Sequence, residues 1–184
     1  MGNDKDVQII EAATAVFLRY GFRRTTMGDL AEAAGVSRPA LYLKFCNKEK
    51  IFETVLKAFT ARTLEEIRLG LPEHAAPLEQ LRFAFECWAV RPFGLMQGSP
   101  DARDLASCSL RFAEPVKAQS HGAFEAILAG ILQGLPELAA KGAPDLAAIA
   151  HVLTVSVQGF KAEARDAEEL RGMIATLLRL AAGG

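Results

Sequence analysis

Apolar residues recur along this chain at helical spacing, beginning close to its first residue. Ile10, Ala13, Phe17 and Tyr20 follow one another at intervals of three or four residues, which places them on one face of a helix. Gly21 comes next, at a point where helices commonly end on a residue with left-handed backbone angles. No stretch of the sequence alternates apolar and polar residues as a half-buried strand does. The pattern therefore predicts an all-α protein.

Capping residues and helix breakers divide the rest of the chain into further helices. Thr26 and Asp29 are spaced for a capping box on a short helix over 27–34, and Gly35 ends that helix. Ser37 can cap the next one. Six further predicted helices bring the total to about nine. The first three run from Asn47 to about Leu69, from Pro77 through Trp88 to a stop at Pro92 and Gly94, and over 101–108. The last three run from Pro115 to Leu132, from Pro144 to about Ala164, and from a capping box of Asp166 and Glu169 to Leu180.

The segment from Thr25 to Lys50 has the pattern of a helix-turn-helix. Ala31 is small enough for two short helices to cross closely, Gly35 makes the sharp turn, and Val36 and Leu41 can fill the angle between the helices. In this motif the second helix lies in the major groove of DNA. Short helix pairs with a solvated basic face also occur in proteins that bind no DNA, so the pattern by itself leaves both interpretations open.

Charge favours the DNA-binding interpretation. The net charge of −1 conceals an asymmetry, because residues 19–50 hold seven basic and three acidic side chains, a local balance of +4. Residues 51–184 hold thirteen basic and sixteen acidic side chains. A basic segment next to an acidic body is typical of a protein that contacts a polyanion with one end.

The predicted second helix of the motif carries side chains suited to DNA. Arg38, at its start, can form two hydrogen bonds with a guanine edge, and Ala40 is small enough to meet a thymine methyl group. Tyr42 and Lys44 can bind phosphates or base edges, and the starts of the neighbouring helices suit phosphates. The candidate DNA-binding residues are Thr25, Thr26, Arg38, Pro39, Ala40, Tyr42, Lys44 and Lys48.

About fifty residues of this region match a known family in the right order. The matching residues are Ile10-x-x-Ala13-x-x-x-Phe17, Tyr20-Gly21-Phe22, Thr25-Thr26, Leu30-Ala31-x-x-Ala34-Gly35-Val36-Ser37, Leu41-Tyr42-x-x-Phe45, and Lys48-Glu49 with Phe52. Residues 7–56 thereby resemble the DNA-binding region of the tetracycline-repressor (TetR/AcrR) family of transcription regulators. Lys44 and Pro39 depart from the family, which often has His and Gly there. The resemblance implies a homodimer that binds a roughly palindromic operator, usually as a repressor.

The resemblance also implies a dimer interface built from the last two helices. Residues 146–160 are apolar nearly all round, as expected of a helix that is buried on two sides. The alternative is that these helices only form the core of a monomer. Reading two half-sites requires two recognition helices at a fixed spacing, which favours the dimer. The candidate interface residues are Val152, Val155, Gly159, Met173 and Leu177.

An apolar pocket for a small effector molecule is the third feature that the resemblance implies. Trp88 and Phe112 offer flat aromatic surface, and His121 offers a polar contact. Each candidate can instead be ordinary core. The sequence leaves the effector unidentified beyond a neutral or weakly polar, apolar molecule. The candidate pocket residues are Phe83, Trp88, Met96, Phe112, His121 and Phe124.

Other classes of function find less support in the sequence. The three histidines lack metal-ligand spacing, and neither a nucleophile elbow nor a phosphate-binding glycine loop is present, so we expect no enzyme, metal or cofactor. Three cysteines without a CxxC pair, no signal peptide and no long apolar stretch predict a cytoplasmic protein without membrane contact. A protein-interaction module of the same fold remains the alternative function. We expect a helix-turn-helix DNA-binding domain over 1–50, with three helices, and a helical ligand-binding and dimerisation domain over 51–184.

Overall fold

The computed structural model describes residues 2–74, 76–97, 110–136, 138 and 145–182. These residues form helices and turns without any strand among them, which confirms the predicted all-α class. The helix predicted over 101–108 and the helix start predicted at Pro144 lie outside the described residues. The helices are α1 (Gly2–Arg24), α2 (Met27–Ala33), α3 (Arg38–Lys44), α4 (Lys48–Gly70), α5 (Pro77–Phe85), α6 (Arg91–Gln97), α7 (Glu114–Leu132), α8 (Leu146–Glu163) and α9 (Ala167–Ala182).

The described residues group into two compact units. The first comprises those of Met1–Ala61 and Leu95–Ala118, and the second comprises those of Arg62–Gly94 and Gln119–Gly184. The first unit extends past residue 50, where we placed the domain boundary, because α4 continues without a break from Lys48 to Gly70.

The first unit begins with a helix that bends near its end. Gly21 interrupts α1 with a φ of 71° and a ψ of 171°, a combination that essentially only glycine adopts, so the positive φ is as predicted but ψ differs from that of a left-handed helical cap. The chain resumes helical geometry to Arg24. The bend turns Phe22 inward, where it is 6% exposed and its ring centroid lies 5.9 Å from that of Phe17.

Local hydrogen bonds define α2 and α3 as the sequence predicted. The Thr26 hydroxyl accepts a hydrogen bond from Asp29 N at 3.3 Å, and the Asp29 carboxylate accepts one from Thr26 N at 2.7 Å, which completes the capping box. Gly35 turns the chain with a φ of 65°. The Ser37 hydroxyl accepts a hydrogen bond from Ala40 N at 3.3 Å and caps α3.

Aromatic rings fill the core of the first unit. Phe52 meets Phe17 and Phe22 edge-on, with ring centroids 5.3 and 5.2 Å apart. Phe112 closes the cluster at 5.1 Å from Phe22 and 5.9 Å from Phe52. Leu41 of α3 is fully buried in the same core, which attaches the second helix of the motif to the first unit.

In the second unit the helix that begins at Pro77 continues further than predicted. We expected Pro92 and Gly94 to end it, and this was wrong, because a π-helical turn over Glu86–Val90 leads into α6. The amide of Arg91 reaches back five residues to the carbonyl of Glu86. Pro92 follows in the first turn of α6, where a residue without an N–H group is tolerated.

The capping box predicted for α9 forms only in part. The Asp166 carboxylate accepts a hydrogen bond from Glu169 N at 2.8 Å, as expected of an N-cap. The Glu169 carboxylate instead accepts from the amide of Arg165 at 2.8 Å and from its guanidinium at 2.9 and 3.1 Å. These hydrogen bonds lower the pKa of Glu169, because they stabilise its ionised form. The Glu169 carboxylate therefore binds the amide of Arg165, one residue before the N-cap, whereas in a regular capping box it would bind the amide of Asp166.

We expect Gly35→Ala to lower the free energy of unfolding by about 1 kcal/mol, because an L residue is strained at a positive φ. An added Cβ at Gly35 would meet no atom within 4 Å, so steric overlap does not contribute. Gly28→Ala in α2 is the matched control, since its Cβ would lie at an ordinary 3.4 Å from the Thr26 hydroxyl and alanine favours helix. Urea denaturation followed by circular dichroism measures both variants. Equal losses would contradict the assignment of strain to Gly35.

Candidate nucleic-acid interface

The third helix is presented outward from the first unit. Leu41 is fully buried and is the one residue of α3 that is buried. The other positions are exposed, including Tyr42 at 47% and Leu43 at 88%. A helix that is anchored through one side chain leaves most of its surface open to a partner. This is the arrangement that a recognition helix needs in order to enter a DNA groove.

Polar groups occupy the two flanks of the exposed surface of α3. Arg38 and Tyr42 are four residues apart and therefore lie on the same side of the helix. Ala40 and Lys44 share the other side for the same reason. The guanidinium and the phenol can donate hydrogen bonds to base edges or phosphates.

The ammonium of Lys44 is already engaged within the first unit. It forms a hydrogen-bonded ion pair with Asp6 of α1, and both side chains are partly open to solvent, at 37% and 50% exposed. Exposed pairs of this kind contribute only about 0–1 kcal/mol. A DNA phosphate can therefore replace the carboxylate at a small cost in free energy.

Lys48 lies at the start of α4, as predicted, and its ammonium reaches the end of α1. Its ammonium donates hydrogen bonds to the carbonyl oxygens of Phe22 at 2.8 Å, Thr25 at 2.9 Å and Arg23 at 3.3 Å. It also lies 4.4 Å from the centre of the Phe22 ring. All three N–H donors of the ammonium are thus used inside the unit. Lys48 thereby ties the start of α4 to the end of α1, and a phosphate contact of this ammonium would compete with these hydrogen bonds.

The two threonine hydroxyls are also used internally. Thr25 is 2% exposed, and its hydroxyl donates a 2.6 Å hydrogen bond to the carbonyl of Gly21. Thr26 is exposed, but its amide and hydroxyl both donate to the Asp29 carboxylate. These hydrogen bonds lower the pKa of Asp29, which keeps the cap ionised. Six of the eight candidate residues are exposed, namely Thr26 and the five on α3: Arg38, Pro39, Ala40, Tyr42 and Lys44.

Leu43 is the exposed position of α3 that sequence reasoning missed. Leucine carries no hydrogen-bonding group, so its residue type gave no indication of a DNA contact. Its separation from Leu41 by two residues was the available signal, because that spacing turns a side chain toward the opposite face of a helix.

The candidate pocket residues divide between the two units. Trp88 stacks on Phe124 with ring centroids 4.4 Å apart and planes within 6°, and His121 meets Trp88 edge-on at 5.9 Å. Phe83 lies over Gly70 and against the ring of His74 at 4.6 Å.

Phe112 and Met96 belong to the first unit, apart from the other pocket candidates. Phe112 and Trp88 are both large aromatic residues, which is why both are pocket candidates in the sequence. The short 3₁₀ turn over Arg111–Ala113 instead places its ring on Phe22 and Phe52. Phe112 is thus a core residue of the helix-turn-helix unit.

The candidate interface residues lie on an exposed apolar face of α8 and α9. Val152 and Val155 are 59% and 53% exposed, and Gly159 is exposed one turn further on. A groove of about 610 Å³ continues this face. It is lined by Phe160, Glu169, Gly172, Met173, Thr176, Leu177 and Leu180.

Further chemistry has little support in the described part of the chain. Burial raises the pKa of the Cys87 thiol to about 11, so it stays protonated and unreactive at neutral pH. Among the described residues, no three His, Cys, Asp or Glu side chains cluster as a metal site would require. None of the helices described here is long and apolar enough to cross a membrane.

A capped helix, a glycine turn and an exposed second helix define a helix-turn-helix DNA-binding domain. Residues 9–55 match the family model described as bacterial regulatory proteins, tetR family. The chain is 32% identical over 83 residues to the HTH-type transcriptional repressor KstR2 of Mycobacterium tuberculosis, which is 45% of this chain and 42% of that protein. It is 42% identical over 102 residues to the transcriptional regulator YfiR of Bacillus subtilis, or 55% of this chain and 44% of that protein. These matches span less than half the length of either relative.

The fold extends the likeness beyond the matched residues. The structure of the fatty acid degradation regulator FadR from Bacillus halodurans superposes with a TM-score of 0.72 over 95% of this chain and 94% of that one, at 20% sequence identity. Over residues 9–55 the chain is therefore similar to the bacterial regulatory proteins of the tetR family, and beyond those residues the likeness is one of fold.

We expect Lys48→Met to lower the free energy of unfolding by about 1–3 kcal/mol, because three carbonyl oxygens lose a charged donor. Methionine keeps the length of the side chain and its contact with Phe22. Lys50→Met is the control, since the ammonium of Lys50 pairs with Glu53 on the surface of α4, and it should cost little. Chemical denaturation compares the two variants. Equal stability would show that the carbonyl contacts of Lys48 do not hold the unit together.

Proposed function

We propose that this protein is a homodimeric transcription repressor that binds operator DNA through α3 and is released by a small apolar effector. The observation that carries the proposal is the exposed surface of α3 around its single buried anchor, Leu41. The similarity to KstR2, which is a transcriptional repressor, supports the direction of regulation. An operator-binding role would place the protein in the bacterial cytoplasm.

The flanks of α3 suggest how the DNA is held. Arg38 can donate two parallel hydrogen bonds to a guanine edge, and Tyr42 can bind a base edge or a phosphate. Lys44 would exchange Asp6 for a phosphate on binding. Because that exchange replaces one anion with another, Lys44 should add less to the salt dependence than an unpaired lysine would.

Arg38→Ala should weaken binding to an operator selected from random DNA by about 1–3 kcal/mol, because the guanine contact is lost. Binding to unrelated DNA should fall much less, since it depends on phosphates. Lys57→Ala, which removes the same charge from an exposed site on α4 of the same unit, should leave operator affinity unchanged. Fluorescence anisotropy at several salt concentrations measures all of these affinities. If both variants bind the operator as tightly as the unaltered protein, α3 does not read DNA and the protein-interaction alternative is favoured.

Dimerisation through α8 and α9 is the second part of the proposal. Val152, Val155 and Leu180 are more than half exposed, and Leu180 lines the apolar groove together with Met173 and Leu177. Apolar patches of this kind on a helical surface commonly mark an interface. A two-fold dimer would also supply the second recognition helix that a palindromic operator requires.

Val155→Glu should shift the protein from dimer to monomer, because a carboxylate would be buried in an apolar interface. Ala126→Glu is the matched control, since Ala126 is exposed on α7 outside the apolar face. Sedimentation velocity over a range of concentrations distinguishes monomer from dimer. Operator affinity should fall for Val155→Glu alone. A monomeric unaltered protein, or a Val155→Glu protein that remains dimeric, would count against this interface.

The stacked rings of Trp88 and Phe124, with His121 at the edge, are the best-supported contact for an apolar effector. Such a molecule would weaken DNA binding only as far as it prefers the conformation with misplaced recognition helices. The expected signature is a lower operator affinity with the dimer intact.

A further inference from the structure

The crest of α3, meaning the line of the helix furthest from the core, is formed by Pro39 and Leu43. Each residue is separated from the buried Leu41 by two positions. At 3.6 residues per turn, two positions correspond to a rotation of about 200°, so both residues point almost directly away from the core. They are also four residues apart and therefore neighbours on the same face.

This crest is apolar, whereas its flanks are polar. Pro39 is exposed and has no N–H group, and Leu43 is 88% exposed. Arg38 and Tyr42 lie on one flank, and Lys44 lies on the other. A helix optimised only for solubility would carry polar residues along its crest. The two apolar residues therefore indicate what the crest meets when the helix is bound.

The floor of the DNA major groove offers one kind of apolar group. Adenine, guanine and cytosine present hydrogen-bond donors and acceptors there, and thymine adds its C5-methyl group. A leucine that enters the groove gains by covering a methyl group, and it leaves a base donor or acceptor unsatisfied when it covers one of those.

We propose that Leu43 is a specificity-determining residue that reads a thymine C5-methyl group in each operator half-site, with Pro39 beside it. Leu43 is better placed than Ala40, because Ala40 lies on a flank and its side chain is too short to reach past the crest. The inference rests on the proposed function, since it requires α3 to enter the major groove.

The energetic contribution of such a contact can be estimated. Burying one methyl group contributes about 0.8 kcal/mol, which corresponds to a change of about four-fold in affinity. Two bases carry a C5-methyl group in the major groove, thymine and 5-methylcytosine. A synthetic operator without modified cytosine leaves thymine as its source.

The test replaces each thymine of the selected operator in turn with deoxyuridine, which removes only the methyl group. Fluorescence anisotropy at fixed salt concentration measures the affinity of the full-length protein for each duplex. The unaltered protein should lose about four-fold at one or two positions in each half-site. Leu43→Ala should bind the natural operator about as weakly as the unaltered protein binds the deoxyuridine duplex. It should show no further loss at that position.

Two variants control for the shape of the helix. Tyr42→Phe alters a flank and should keep the full deoxyuridine penalty, even if its overall affinity falls. Leu43→Met keeps an apolar tip and should retain most of the penalty. Because Leu43 is so exposed, all Leu43 variants should melt at the temperature of the unaltered protein, which circular dichroism verifies.

The outcomes separate this inference from the function on which it rests. Failure to select any sequence from random DNA would overturn both. Specific binding in which Leu43→Ala retains the whole deoxyuridine penalty would overturn the role of Leu43 alone. Specific binding with no deoxyuridine penalty in the unaltered protein would also overturn it, and would leave the operator-binding proposal standing.

Discussion

The burial of Leu41 is the contact on which the DNA-binding surface depends. A helix of seven residues is too short to be stable by itself in water, so α3 needs a tertiary anchor. A single fully buried leucine supplies this anchor, together with the hydroxyl cap of Ser37. Because the anchor uses one side chain, the remaining face of the helix stays free for a partner. A second inward-facing side chain would have stabilised the helix further and removed part of that surface.

The polar residues around α3 divide into those that hold the motif and those that can contact DNA. Lys48 and Thr25 satisfy carbonyl groups at the end of α1, where the bend at Gly21 leaves backbone acceptors without helical partners. A buried carbonyl without a donor is costly, so these side chains have a structural purpose before any functional one. Arg38 and Tyr42 face solvent and have no comparable structural task in the capping of the motif.

The aromatic residues of the second unit also divide into those that could contact a partner molecule and those that only pack. Trp88, Phe124 and His121 come together, and a π-helical turn carries Trp88. Such turns often occur at functional sites, because they rotate side chains away from regular helical positions. This turn is consistent with the proposal that these three residues contact an effector. Phe83 instead closes over Gly70, where any side chain larger than hydrogen would overlap its ring.

Much of the fold could be predicted from the sequence, because its signals act over a few residues. The box of Thr26 and Asp29, the cap at Ser37 and the positive φ of Gly21 and Gly35 each depend on neighbours within one helical turn. The family resemblance has the same origin, since it rests on the stretch of chain that contains these caps and glycine turns. These local rules determined the all-α class, the helix-turn-helix and the position of its second helix.

The tertiary structure alone decided which side chains are available on the surface. Lys48 and Phe112 were plausible site residues by type, but groups distant in the chain engage them. Lys48 donates to carbonyls more than twenty residues away, and Phe112 packs on the rings of Phe22 and Phe52. The exposure of Leu43 was not predicted, because it depends on which side of α3 is buried. Helix formation is a local event, whereas burial and hydrogen-bond satisfaction depend on residues that only folding brings together.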